Sequence, residues 1–358
     1  MKATAALHDL GQSIWLDNIT REMLDSGQLQ RYIDDYSVTG LTSNPAIFDK
    51  AIAAGGYDEA IREKARAGAD REQLFFDLAI EDLRRAADLF RPIHDRTDGV
   101  DGWVSLEVSP LLAYDTESTV KAARDLHAWA DRPNLFIKIP GTTEGLPAIE
   151  EAIAAGVPVN VTLLFSADHY VAAAEAYMRG VERRLAARLE PAVGSVASIF
   201  MSRWDVAVKD KVTEALRDKL AVAVGSEAYR AYREVLDSDR WQRLENQGAR
   251  AQRLLFASTS TKDPDAPDTL YVHELGAANS VNTMPEATLL AFDDHGEIGQ
   301  PLAADGGDSA ATLRAFTDAG VDIGALAADL QSQAADGFVK AWNDLMAHID
   351  EQIASLGA

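Results

Sequence analysis

No cysteine occurs among the 358 residues. Disulfides, cysteine-based zinc sites, iron–sulfur ligation and thiol nucleophiles are therefore excluded together. Positive charge is also scarce: 34 Lys and Arg stand against 57 Asp and Glu, a net charge of −23. Nucleic acid and anionic membrane both demand a basic surface, so neither is an expected partner. No uncharged apolar run approaches the roughly 18 residues of a membrane span. The opening MKATAALHDLGQ has too short an apolar run for a secretory signal and reaches Asp9 early, so the expected location is cytoplasmic. The seven histidines show no HxH or HExxH spacing, and there is no GxGxxG or Walker loop. Neither a metal nor a nucleotide cofactor is expected.

What is present is the composition of an ordinary folded enzyme, 47% hydrophobic and 25% charged, long enough to bury a large core. Short apolar runs alternate with helical patterns. The candidate strands are 14–19, 37–44, 102–108, 135–140, 157–165, 195–202, 253–260 and 279–284. Segments such as 73–90 and 206–224 carry apolar residues at i, i+3, i+4 spacing and read as helices. Strands apolar along most of their length, each followed by a helix, indicate a parallel sheet covered on both faces. Eight such units predict a (β/α)8 TIM barrel with additional helices, one catalytic domain over 1–358; a doubly wound open sheet is the alternative. The additional helices fall within about 45–101 and 203–252, and a C-terminal helical segment begins near 308, with helices at 309–319 and 323–355.

Polar residues intrude near the C-terminal ends of these strands, the end at which a TIM barrel builds its active site. They are Asp17, Thr42, Asn44, Glu107, Lys138, Asn160 and Thr162. Period-two alternation puts Asn160 and Thr162 on one face, Glu107 with Ser105, and Lys138 with Phe136. Of ten lysines, only Lys138 is flanked by a strongly apolar run, LFI before it and IP after. Burial disfavours the ammonium form, and a neutral amine is what Schiff-base catalysis requires. The other reading is a lysine that reaches out to solvent or pairs with a buried acid. Glu107 and Asp17 are candidate general acids and bases if they converge on it, and salt-bridge partners or caps if they do not. TSNP (42–45) also reads as an ordinary helix start, with an Asn cap and Pro in the first turn. SIFMSR (198–203) offers Ser198 and Arg203 to an anion. ASTSTK (257–262) offers hydroxyls, backbone donors and Lys262, or forms a simple polar turn.

Taken together, GLTSNPAIF (40–48), LFIKIPGTTEGL (135–146) and VNVTLLFS (159–166) resemble the transaldolases. WLDNI, SLEVSP, SIFMSR, FASTSTKDP and TLYVHELGAANSVNTMPEAT extend the resemblance from about residue 7 to 290. It implies a metal-free, cofactor-free class I aldol transferase of the pentose phosphate pathway with phosphorylated sugar substrates. Such an enzyme moves a dihydroxyacetone unit from sedoheptulose 7-phosphate to glyceraldehyde 3-phosphate, giving erythrose 4-phosphate and fructose 6-phosphate. By the same resemblance Lys138 forms the Schiff base, and Glu107 moves protons through a water held by Thr162. Asp17 takes the proton of the donor's C4 hydroxyl. Thr42, Asn44 and Asn160 line the substrate site, the two asparagines holding the dihydroxyacetone hydroxyls. Ser198 and Arg203 match the phosphate-binding serine and arginine, and Phe200 the pocket aromatic. One block departs from the family: where many members carry a second phosphate-binding arginine, Ala257–Ser258 is followed by Thr259, Ser260, Thr261 and Lys262. Ser258 and a point charge on Lys262 are the expected substitutes. The rival readings are a fructose 6-phosphate aldolase, which releases free dihydroxyacetone, and a catalytically silent acidic barrel. A homodimer is the expected assembly.

Overall fold

The computed structural model describes residues 2–355. Eight parallel strands close into a barrel in chain order: β1 (Gln12–Asp17), β2 (Val38–Thr42), β3 (Val104–Glu107), β4 (Leu135–Pro140), β5 (Val159–Leu164), β6 (Ser195–Phe200), β7 (Arg253–Ala257) and β8 (Ser280–Met284). Every expected strand is present, and closure of β8 onto β1 excludes the open sheet. Further helices, Pro45–Ala53, Asp58–Arg66 and Arg71–Arg96, precede β3, and Leu220–Asp237 and Asp239–Glu245 precede β7. The described residues finish in helices Ser309–Asp318 and Ile323–Ser355. None of the helices among the described residues is long and apolar enough to cross a membrane.

One expected helix is broken. Residues 206–224 do not form a continuous helix. Helix Arg203–Val208 stops, a 3-10 turn covers Glu214–Leu216, Asp218 takes a left-handed φ of 54°, and a new helix starts at Leu220. Residues 209–219 carry seven charges and none of them is buried; Val212 and Leu216 alone pack against the core, too narrow a face to hold a continuous helix there. Asp205 holds the break. Its Oδ1 accepts from the backbone N–H groups of Leu220 (2.9 Å) and Ala221 (3.2 Å), and Tyr271 donates its hydroxyl to Oδ2 at 2.8 Å. Those amides open a helix whose own N-cap, Lys219, gives no side-chain bond. Burial is the main cause that pushes the Asp205 carboxyl up to about 6, against the bonds it accepts. The native state thus holds this proton more tightly than the unfolded chain, and ionising Asp205 costs stability as pH rises from about 4 to about 6. Asp205→Ala is expected to destabilise the protein by roughly 2–4 kcal/mol, read from the urea midpoint at neutral pH, because it leaves buried donors unpaired. An unchanged midpoint would mean the break is held by something else.

The barrel interior is filled in levels. At the N-terminal end of the strands, Ser13 donates to Asp101 and accepts from Arg253 Nη2 at 2.7 Å, while Arg253 also donates to the Ser280 carbonyl at 2.7 Å. Above this plug lie large rings: Trp103 stacks on Phe136 at 4.0 Å, and Trp15 meets Phe136 at 6.1 Å. These rings leave no room on neighbouring strands. A Cβ on Gly40 would sit 2.7 Å from the Trp15 indole nitrogen and from the Trp103 carbonyl. Glycine is therefore required at 40 by close approach. The third level, at the C-terminal ends, cannot continue as hydrocarbon because its residues are polar. Pairing registers Glu107 with Lys138, Lys138 with Asn160, and Asp17 with Thr42.

Candidate active site

Period-two geometry explains how a lysine survives in LFIKIP. Ile137 and Ile139 point away from the barrel axis and are fully buried, while Lys138 points inward and is 5% exposed. The surroundings of the amine differ from the apolar cage its sequence neighbours suggest. Lys138 Nζ lies 2.7 Å from Glu107 Oε1 and donates to the Ser43 carbonyl at 3.0 Å. The lysine is thus both buried and paired with an acid. Adjacent strands bring the pair together, since Glu107 and Lys138 are register partners on β3 and β4.

Asp17 ends β1 at the same level and stays half-buried. Its Oδ1 accepts from Thr42 Oγ1 at 2.8 Å, and Thr42 in turn meets Thr283 Oγ1 at 2.8 Å. Burial pushes both carboxyl groups above their usual range; the Lys138 charge opposes this in each case, and for Glu107 the nearby Asp17 adds to the rise. Two acids raised by burial beside one buried cation form the kind of cluster in which perturbed titration marks a functional site.

Next to this triad, Asn160 is fully buried. Its Oδ1 accepts from Ser198 Oγ at 2.7 Å and its Nδ2 donates to Ser105 Oγ at 3.2 Å, which leaves the second amide proton for a ligand. Asn44 caps helix Pro45–Ala53: its Oδ1 accepts from Ile47 N at 3.2 Å. The capping reading of TSNP is therefore correct, and its Nδ2 bonds no other described residue while the residue lines the cavity. Thr162 Oγ1 is buried without a hydrogen-bond partner. A hydroxyl in that condition among acids and an amine is a place for an ordered water.

Ten of the twelve residues singled out from sequence line one cavity of about 190 Å³; Glu107 and Asn160 lie just behind it, against Lys138 and Ser198. At the cavity's other side is a group of cations and hydroxyls. The Arg203 guanidinium lies 5.7 Å from the Phe200 ring centre, has no carboxylate partner among the described residues, and is held below its usual pKa by burial. Ser258, in a left-handed conformation at φ 56° just after β7, shares a hydrogen bond of 2.9 Å with Ser202. Lys262 is exposed and donates to Ser260 Oγ at 2.6 Å. Ser198 stands apart from this group in its bonding, because its hydroxyl is committed to Asn160.

Sequence reasoning missed several cavity residues. Ser260 and Thr283 lay inside strand-end runs already noted, but Phe338 comes from the C-terminal helix and packs 6.4 Å from Phe200. Nothing in its local sequence marks it. A roomier hollow of about 500 Å³ lies at the opposite end of the barrel, around Ser13, Trp103, Ser195 and Arg253. Two of its charged side chains, Asp101 and Arg253, are spent on closing the barrel, and Arg250 pairs with Asp98.

Comparison with known proteins agrees with this geometry. A family model described as transaldolase/fructose-6-phosphate aldolase matches residues 14–349. Proteins named transaldolase from Parafrankia sp. and Thermobifida fusca are 46% and 47% identical, covering 99% and 98% of this chain and equal shares of their own. A protein named transaldolase 2 from Streptomyces coelicolor is 43% identical over 99% of this chain and 98% of its own. A closed parallel barrel, a lysine buried between acids at its C-terminal mouth, and similarity along almost the whole length lead to one conclusion: the chain belongs to the transaldolase/fructose-6-phosphate aldolase family.

Proposed function

We propose that this enzyme is a transaldolase that transfers a dihydroxyacetone unit between phosphorylated sugars through a Schiff base on Lys138. The observation that carries the reading is the Lys138 amine, 5% exposed and 2.7 Å from Glu107, in a cavity that also holds Asp17 and an Arg203 with no carboxylate partner among the described residues.

The chemistry follows from the contacts. Glu107 takes a proton from the Lys138 ammonium, and the neutral amine attacks C2 of the donor ketose. The carbinolamine loses its hydroxyl as water; Glu107 returns the proton through a water seated on the unpartnered Thr162 Oγ1. In the resulting iminium, ionised Asp17 removes the proton of the C4 hydroxyl. The C3–C4 bond breaks, and its electron pair flows into the iminium to give an enamine while the aldehyde departs. An acceptor aldehyde then meets the enamine carbon, Asp17 returns its proton to the new hydroxyl, and hydrolysis frees Lys138. Asn44 Nδ2 and the remaining Asn160 N–H hold hydroxyls of the retained three-carbon unit, with Ser198 orienting Asn160. Phe200 and Phe338 add apolar lining to the cavity, which limits the water able to reach the enamine.

Arg203, Ser258 and Lys262 supply the phosphate site, with Ser260 holding Lys262 in place. Arg203 contributes most of it, since its guanidinium is already partly desolvated and has no competing acid. Arg203→Ala is expected to raise KM for fructose 6-phosphate by about 10- to 100-fold, the loss of one charge-assisted contact. KM for unphosphorylated fructose should move little. An equal effect on both sugars would place the phosphate elsewhere. At about 8 Å of screening in physiological salt, this pocket acts locally although the protein as a whole carries −23.

Transfer is tested by incubating the enzyme with fructose 6-phosphate and following products with and without erythrose 4-phosphate. The reading predicts sedoheptulose 7-phosphate in the presence of the acceptor and little free dihydroxyacetone in its absence. Free dihydroxyacetone released at the same rate with or without acceptor would instead make the protein an aldolase.

A further inference from the structure

Strand β5 is irregular at its C-terminal tip. Its pairing with β6 slips between Val161 and Leu164, and Leu163, a branched residue, takes a left-handed φ of 62°. An L-residue adopts that conformation only when its surroundings impose it. The turn takes the Leu163 carbonyl out of the regular strand ladder. The residue before it, Thr162, lines the cavity, and its buried Oγ1 has no partner among the described residues.

The displaced carbonyl has a partner far away in sequence. Gln331, in helix Ile323–Ser355, donates from Nε2 to the Leu163 carbonyl at 2.8 Å and to the Gly141 carbonyl at 3.1 Å. Gly141 follows β4 directly, and its own N–H donates to the Thr162 carbonyl at 2.7 Å. One side-chain amide therefore ties together the tips of the two strands that carry Lys138 and Thr162. The helix that delivers it is well anchored. Leu330 and Ala334 are buried on either side of Gln331, and Trp342 sets its ring 5.1 Å from Phe75. Residues 331, 338 and 342 fall on one helical face, so the face that reaches the strand tips also brings Phe338 to the cavity.

We propose that Gln331 is a positioning residue for the Schiff-base chemistry, its amide fixing the tips of β4 and β5 and through them the placement of Lys138 against Thr162. The inference rests on the Schiff-base reading above. It separates a role in chemistry from a role in folding: loss of the donor relaxes the Leu163 turn and misplaces the water on Thr162, whereas the phosphate site around Arg203 lies on other strands and is left intact.

The test uses the full-length protein as wild type, Q331M, Q331E and Q331K. Methionine and glutamate match the length of the side chain without its donor; the lysine ammonium can donate to both carbonyls. The measurements are the rate at which fructose 6-phosphate forms a borohydride-reducible adduct in a single turnover, and kcat and KM in the steady state. A misplacement of this kind costs on the order of 10- to 100-fold in rate, so Q331M and Q331E should slow adduct formation and kcat by that amount with KM changed by less than about twofold. Q331K should recover most of the loss. Adduct formation at the wild-type rate in Q331M and Q331E would overturn the proposal, as would a Q331K variant as slow as they are. Failure of both donor-less variants to fold would also overturn it, making Gln331 a folding residue. No adduct in the wild type would instead overturn the underlying Schiff-base reading.

Discussion

Lys138→Arg is expected to lower kcat for transfer by about four orders of magnitude or more, the scale seen when a covalent nucleophile is lost. The substitution is informative because it keeps a cation beside Glu107. If Lys138 served only to neutralise the buried carboxylates, arginine would serve nearly as well, since it stays protonated and offers more donors. A Schiff base needs a neutral primary amine with a lone pair, and a guanidinium cannot supply one. Lys138→Ala should lose as much activity while also leaving Glu107 and Asp17 without their shared counter-charge. Transfer assays on both variants, with circular dichroism to confirm the fold, make the comparison. More than about one hundredth of wild-type activity in the arginine variant would show that the lysine acts through its charge.

The two carboxylates should fail at different steps. Asp17→Asn is expected to reduce kcat by about 10²- to 10⁴-fold, the range for a positioned general base, while Schiff-base formation proceeds. Donor ketose should therefore accumulate on the enzyme as a reducible adduct that does not cleave. Glu107→Gln should slow formation of the adduct itself, because in the proposed mechanism that carboxyl takes the proton from Nζ and gives it to the hydroxyl that leaves the carbinolamine as water. The pH profile carries a sign. Burial raises the Asp17 carboxyl above the ordinary 3.8 despite the nearby Lys138 charge. Since Asp17 must be ionised to act, activity should fall on the acid side at a higher pH than an unperturbed aspartate would give. The residual activity of Asp17→Asn should lack that limb. Equal adduct levels and identical pH profiles in the two variants would remove the division of roles.

The barrel was legible because its signal is local and repeated eight times. Runs such as VPVNVTLLF and SVASIFMS are apolar on both faces, as strands between barrel interior and helices must be. The strand ends were less sharp, since polar residues such as Asn18, Asn44 and Ser202 continue the runs after strand pairing has stopped. The reading of 206–224 as one helix failed because apolar spacing alone ignores a distant cap: Asp205 reaches across to the amides of Leu220 and Ala221. Lys138 was recognisable from its flanks and Glu107 as a carboxylate able to converge on it, but which acid meets the amine depends on β3 and β4 being adjacent and in register. The commitment of Ser198 to Asn160 was hidden for the same reason. Gln331 and Phe338 were out of reach altogether. Their helix has an ordinary amphipathic pattern, and only the closed fold brings its face across the strand tips.

Whether Lys138 carries the substrate is tested most directly by reducing the enzyme with borohydride in the presence of fructose 6-phosphate and mapping the modified peptide by mass spectrometry. The geometry predicts a single adduct, on the peptide containing Lys138, that depends on the sugar and is absent from Lys138→Ala. An adduct on another of the ten lysines, an adduct that persists in Lys138→Ala, or none at all would contradict it.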